Sequence, residues 1–181
     1  MLRRRPTLRK QLGRGSAMGV RVGIVMGSDS DWPVMREAQK ICQQFEIECE
    51  ARVLSAHRTP EATAEWAGGA SERGVEVLIA GAGGAAHLPG VVAASTLLPV
   101  IGVPIANGPL QGFDSLLAIV QMPKGIPVAT VGVGRADNAG LLAMHILAVS
   151  DSTVRERLAS YRKEFQKKVA AADERVRTGQ V

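Results

Sequence analysis

Read as hydrophobic and polar positions, the chain alternates short strand-like runs with segments of helical spacing. Residues 20–26 form an apolar run with β-branched members, broken at Gly27, which predicts a first, buried strand. From Trp32-Pro33 to about residue 46, Val34, Met35, Ala38, Ile41, Cys42 and Phe45 make one inward stripe of an amphipathic helix. A second strand is predicted over 48–54, a helix over 60–73 ended by Gly74, and a third, almost wholly apolar strand over 75–80. There follow a helix over 90–97, a fourth strand over 99–103 closed by Pro104, a loop over 105–112, a helix over 113–121 and a β-branched fifth strand over 126–133. The helix over 136–149 is apolar on most of its circumference, which predicts burial on more than one side and, in a small domain, a subunit interface. His145 on that helix is expected to be packed or interfacial rather than catalytic. A charged helix from residue 151, with a narrower stripe of Val154, Leu158, Tyr161 and Phe165, reads as an added arm lying on a neighbour. Five strands alternating with helices through short connections predict an α/β class, a three-layer α/β/α domain with an added C-terminal helix.

Composition narrows this picture. A chain of 181 residues suits one domain, here 19–181 with its helical arm at 151–178. Hydrophobic residues make up 46% but aromatics only 3%, and there are 20 glycines, so Ala, Val, Leu and Ile must pack the core around many tight turns, as in a buried parallel sheet. The net charge of +5 hints at nucleic acid until it is located: residues 1–18 carry six cations and no acid, which leaves 19–181 at −1. Such an arm suits nucleic acid, a membrane surface or an organellar presequence. Without interleaved aromatics or an apolar face, it is read as a disordered extension ahead of a domain starting at Met18, with neither nucleic acid nor membrane as partner. Cys42 and Cys49 have no metal-ligand spacing and read as separate thiols of a reducing compartment. No apolar run reaches the roughly 18–20 residues of a membrane helix, so a soluble, cytoplasmic protein is expected.

Three turns carry candidate chemistry. Ser55-Ala56-His57-Arg58-Thr59-Pro60-Glu61 joins a strand end to a helix start, with Thr59 placed to cap and Pro60 at the first helical position. His57 is the side chain there that both gives and takes a proton near neutrality, and Arg58 offers a planar donor fork for phosphate or carboxylate. Gly27-Ser28-Asp29-Ser30-Asp31 stands at a helix N-terminus, where free amides favour an anion and the aspartates suit hydroxyls; a sugar phosphate meets both demands, and plain capping by Ser28 or Asp31 is the alternative. The small residues of 81–90 let backbone approach a ligand, yet form neither a Walker A loop nor a dinucleotide fingerprint, so neither ATP nor NAD is asked for. His87 within it is either a site histidine or a local cap. If the sheet has the flavodoxin-like order 2-1-3-4-5, the carboxyl ends of strands 1, 2 and 3 are neighbours and the three turns converge.

These turns, with Leu116-Leu117-Ala118-Ile119-Val120-Gln121-Met122-Pro123 and Asn138-Ala139-Gly140-Leu141-Leu142, resemble the N5-carboxyaminoimidazole ribonucleotide mutase family of purine biosynthesis over residues 20–149. The resemblance implies an isomerase that moves a carboxylate from the exocyclic nitrogen of an aminoimidazole ribonucleotide to ring carbon C4, through CO2 release and recapture, without ATP, metal or organic cofactor. It implies His57 as general acid and base, Ser28 and Asp31 holding the ribotide, and Arg58 with Ser55 on its phosphate. Gly83, Gly84, Ala85, His87 and Leu88 would line the carboxylate and imidazole pocket. It further implies a homo-octamer, functionally coupled to the ATP-dependent synthetase that makes the substrate. Relatives that carboxylate aminoimidazole ribonucleotide directly carry Lys-Gly where this chain has Arg58-Thr59, so the Arg-Thr form resembles the bacterial mutase. A flavodoxin-like binding module without catalysis is the reading from another class, with Trp32 the one aromatic available to stack on a flavin.

Overall fold

The computed structural model describes residues 19–180, and the basic segment 1–18 lies outside them. Strand β1 (Val22–Met26) is buried at all five positions, because strands flank both its edges and helices cover both its faces. Its run Val-Gly-Ile-Val-Met therefore has no solvent side to make polar. On one edge lies β2 (Cys49–Val53) and on the other β3 (Val77–Gly83), both parallel to it. Strand β4 (Val100–Ile105) and a two-residue β5 (Ala129–Thr130) complete a parallel sheet of order β2-β1-β3-β4-β5. The flavodoxin-like order is present, and chain progression reverses between β1 and β3, which opens a crevice at their carboxyl ends.

Side chains of a strand alternate between faces, so the sheet feeds two cores. Val22, Ile24 and Met26 join Met35, Ala38 and Ile41 of α1 (Trp32–Gln44) and Ala143 and Met144 of α5 (Ala136–Leu147). Val25 and Leu78 join Trp66 of α2 (Pro60–Gly68), Val92 of α3 (Leu88–Ala94) and Ile119 of α4 (Phe113–Val120). The seam between α1 and α5 is tight: a Cβ on Gly140 would lie 2.8 Å from the Cβ of Ile41, so glycine is what lets the two helices approach.

The two-sided burial expected of α5 is met within the chain. Helix α6 (Ser152–Arg177) packs on it and buries Val154 and Leu158 in the core that α5 shares with the sheet. Asp151 caps α6 by accepting from the amides of Thr153 and Val154, and Arg21 donates to the same carboxylate at 2.7 Å. Arg157 ties the helix to the carbonyl of Phe45 and to Glu46. The first half of α6 thus packs on its own chain, while the helix past Tyr161 is exposed except at Ala172.

Several boundaries differ from the sequence reading for local reasons. Helix α2 stops at Gly68 because Gly68-Gly69 ends favourable helix propagation, and the chain turns onward to Gly74 at φ 91°. Strand β3 runs on through Gly81-Ala82-Gly83, since its ladder to β4 continues to Gly83↔Ile105. Pro104 does not close β4: its carbonyl accepts from Gly134 at 2.8 Å on the side where β5 has already ended, so its missing N–H leaves no ladder bond unmade. The two cysteines also meet: hydrogen bonding between the thiols pushes Cys42 up and Cys49 down.

Candidate active site

The loops that follow β1, β2 and β3 surround one cleft of about 350 Å³. Each is shaped by its own backbone bonding. After β1 the chain makes a single 3₁₀ turn, Asp29–Asp31, which Ser28 caps by accepting from the amide of Ser30 at 3.2 Å. Asp31 stands at the N-cap position of α1 yet makes no capping bond with its side chain, so capping accounts for Ser28 and not for Asp31. Asp31 is only 6% exposed, and burial raises its carboxyl above the usual range; a backbone hydrogen bond of Ser28 opposes this and the charge of Asp29 adds to it.

After β2 the turn is closed by its own residues. The hydroxyl of Thr59 accepts from the Ser55 amide at 2.9 Å and donates to the Ser55 carbonyl at 3.1 Å, while the Arg58 amide donates to Ser55 Oγ at 3.2 Å. Thr59 occupies the N-cap of α2, but its hydroxyl is spent on Ser55 instead of on the helix. The result is a rigid platform from which His57 and Arg58 project exposed into the cleft.

After β3 the chain turns through Gly84 and Ala86, at φ 61° and 48°, and enters α3 at Leu88 with His87 as its N-cap residue. The ring of His87 makes no cap bond. It meets His57 instead, Nε2 of His57 lying 2.7 Å from Nδ1 of His87 with the rings at 89°. Two imidazoles joined this way share one proton along the bond, because one nitrogen must donate and the other accept.

Residues 21–168 match the family model described as AIR carboxylase. The chain belongs to the AIR carboxylase family. Among its relatives, the N5-carboxyaminoimidazole ribonucleotide mutase of Mycobacterium tuberculosis is 60% identical over 84% of this chain and 88% of that protein. The protein of the same name from Pyrococcus abyssi is 60% identical over 81% of this chain and 84% of its own length. The crystal structure of Treponema denticola PurE superposes with a TM-score of 0.78 at 28% identity, covering 85% of this chain and 96% of that one.

Within this AIR carboxylase fold, nine of the ten site residues read from the sequence line the cleft: Ser28, Asp31, Ser55, His57, Arg58, Gly83, Ala85, His87 and Leu88. Gly84 is outside that lining and serves the turn. Gly27, Ser30, Ala56, Ala82 and Ala86 line it as well, as members of the same loops. Asn107 does so from elsewhere, just past β4, and no local motif marks it. His145 lies on α5 beside Arg162 of α6, and not in the cleft; burial and then Arg162 hold its ring below the usual range.

Proposed function

We propose that the chain is an isomerase converting N5-carboxyaminoimidazole ribonucleotide to 4-carboxy-5-aminoimidazole ribonucleotide without ATP, in the synthesis of IMP. The observation that carries this reading is the 2.7 Å bond between His57 and His87 in a cleft that also holds Arg58, Ser28 and Asp31. The name shared by the curated relatives supports it.

The chemistry needs one proton carrier and a place to keep CO2. The bond from the exocyclic nitrogen to the carboxylate carbon breaks, CO2 leaves, and the nitrogen retains the electron pair and takes a proton from His57. Ring carbon C4 then attacks CO2, forming the new carbon–carbon bond, and its proton returns to His57. Atoms and charge balance with no co-reactant. Arg58 and Ser55 hold the phosphate and Ser28 and Asp31 the ribose, which positions the ring without touching the reacting atoms. The small residues of 83–88 leave room for CO2 against backbone, and His87 orients the His57 ring.

Residues 19–181 act as one domain in this reading, and copies of it assemble as a homo-octamer. The apolar face that α4 leaves uncovered, Phe113, Leu117 and Val120 with Leu110 before it, supports such assembly. No helix among the described residues is long and apolar enough to cross a membrane. The free thiols Cys42 and Cys49 favour the cytoplasm, where an ATP-dependent synthetase would supply the substrate.

The test is formation of the C-carboxylated ribotide, followed by absorbance, in two parallel reactions without ATP or metal. One holds N5-carboxyaminoimidazole ribonucleotide, the other aminoimidazole ribonucleotide with CO2 and bicarbonate. Turnover of the first alone is expected. Turnover of the second alone would make the protein a direct carboxylase, and silence in both would leave a binding module.

A further inference from the structure

The cleft has a fourth wall that the sequence motifs do not mark. Asn107 follows β4 by two residues, and the register Gly83↔Ile105 brings it beside the β3 loop. Its carboxamide lies flat on Gly83: a Cβ at that glycine would fall 2.1 Å from Nδ2 and 2.7 Å from Oδ1. Gly83 has no Cβ, and Asn107 fills the space one would take. The backbone behind Asn107 is held too, because a Cβ on Gly112 would fall 3.1 Å from the Cα of Ala106, so the two ends of this loop are in contact. The side-chain bonds of the cleft join Ser28 to Ser30, Ser55 to Arg58 and Thr59, and His57 to His87; none of them engages Asn107. An exposed, positioned amide with free donors faces the cleft.

The structure assigns Asn107 as a substrate-positioning residue that donates a hydrogen bond from Nδ2 to the migrating carboxylate; this rests on the mutase reading above. Two physical arguments select that group over the phosphate. In the order β2-β1-β3-β4, Arg58 follows the edge strand β2 whereas Asn107 follows β4 and lies against Gly83, at the start of the loop read as the carboxylate pocket, so it meets the end of the ligand remote from the phosphate. Its neutrality also suits a group that changes charge. A cation would stabilise the bound carboxylate far more than neutral CO2 and so oppose its release, whereas an amide donates to both.

The experiment compares two ligands on the full-length protein: 4-carboxy-5-aminoimidazole ribonucleotide and its decarboxylated counterpart, aminoimidazole ribonucleotide. Dissociation constants are measured by calorimetry for the wild type, Asn107→Ala and Asn107→Asp, and N5-carboxyaminoimidazole ribonucleotide turnover is measured alongside. Asn107→Ala is expected to weaken the carboxylated ligand roughly tenfold and the decarboxylated one by less than about twofold. Asn107→Asp keeps the shape and should weaken the carboxylated ligand further, by repulsion. Equal losses for both ligands, or no loss for either, in variants of a wild type that turns over substrate would overturn the assignment and leave the mutase reading standing. A wild type that neither binds the carboxylated ligand nor turns over substrate would overturn both.

Discussion

At the scale of single residues, the site depends on side chains freed from structural duty. Asp31 occupies the cap position of α1 without capping, and His87 does the same at α3, so both keep their polar atoms for the cleft. For Asp31 the arrangement has a thermodynamic cost, because burial penalises its ionised form. A raised folded-state value means that this penalty is absent below the usual carboxylate range, grows as pH rises through it, and is full above the raised value. Asp31→Asn should therefore raise the melting temperature at neutral pH, with the gain vanishing at about pH 3, while ribotide affinity falls by roughly tenfold or more with loss of a charged acceptor. Thermal melts at both pH values and one binding titration check both halves, and a variant melting lower than wild type at neutral pH would contradict the burial argument. His57→Asn should cut turnover by about 10² to 10⁴ with ribotide binding retained, and near-normal turnover would remove His57 from the proton path.

At the scale of elements, the helices divide into those whose apolar faces the chain covers and those whose faces it does not. Helix α5 is apolar nearly all round because the sheet and α1 cover one part of it and α6 another. Helix α4 differs: Ile119 and Ser115 are buried, yet Phe113 is 63% exposed and Val120 50%. Four residues or three apart, Phe113, Leu117 and Val120 form one stripe that water does not favour. Phe113→Asp puts a charge in that stripe without touching the core. Light scattering should then show a smaller assembly than the wild type at equal concentration, whereas an unchanged mass would place the contacts between copies on another face.

At the scale of the whole molecule, the entry to β1 and the start of α6 are fastened to each other through one carboxylate. Asp151 caps α6, and Arg21, one residue before β1, donates to it. That hydrogen bond, then the backbone amide of Val154, holds its carboxyl below the usual range. A depressed value contributes stability above the unfolded-state value that is lost as pH falls through the folded-state value. Asp151→Ala should cost about 1–2 kcal/mol at neutral pH, most of it the cap, and the difference from wild type should shrink towards about pH 2. Equal losses at both pH values would mean that the ionised carboxylate is not what fastens α6. Much of this architecture was legible beforehand. The apolar runs around β1, β3 and β4, the helical stripes and the polar turns between them are local patterns, and a periodicity states which face of an element is buried. Those patterns sufficed for a parallel sheet with Ser28, His57 and the 83–88 loop at its carboxyl ends. They could not state what covers a face, because the covering group is remote in sequence. Folding alone decided that α6 turns back onto α5 and that the thiols of Cys42 and Cys49 meet; it also decided that His87 reaches His57 across thirty positions and that Asn107 rests on Gly83, since each of these two contacts joins chain that follows different strands.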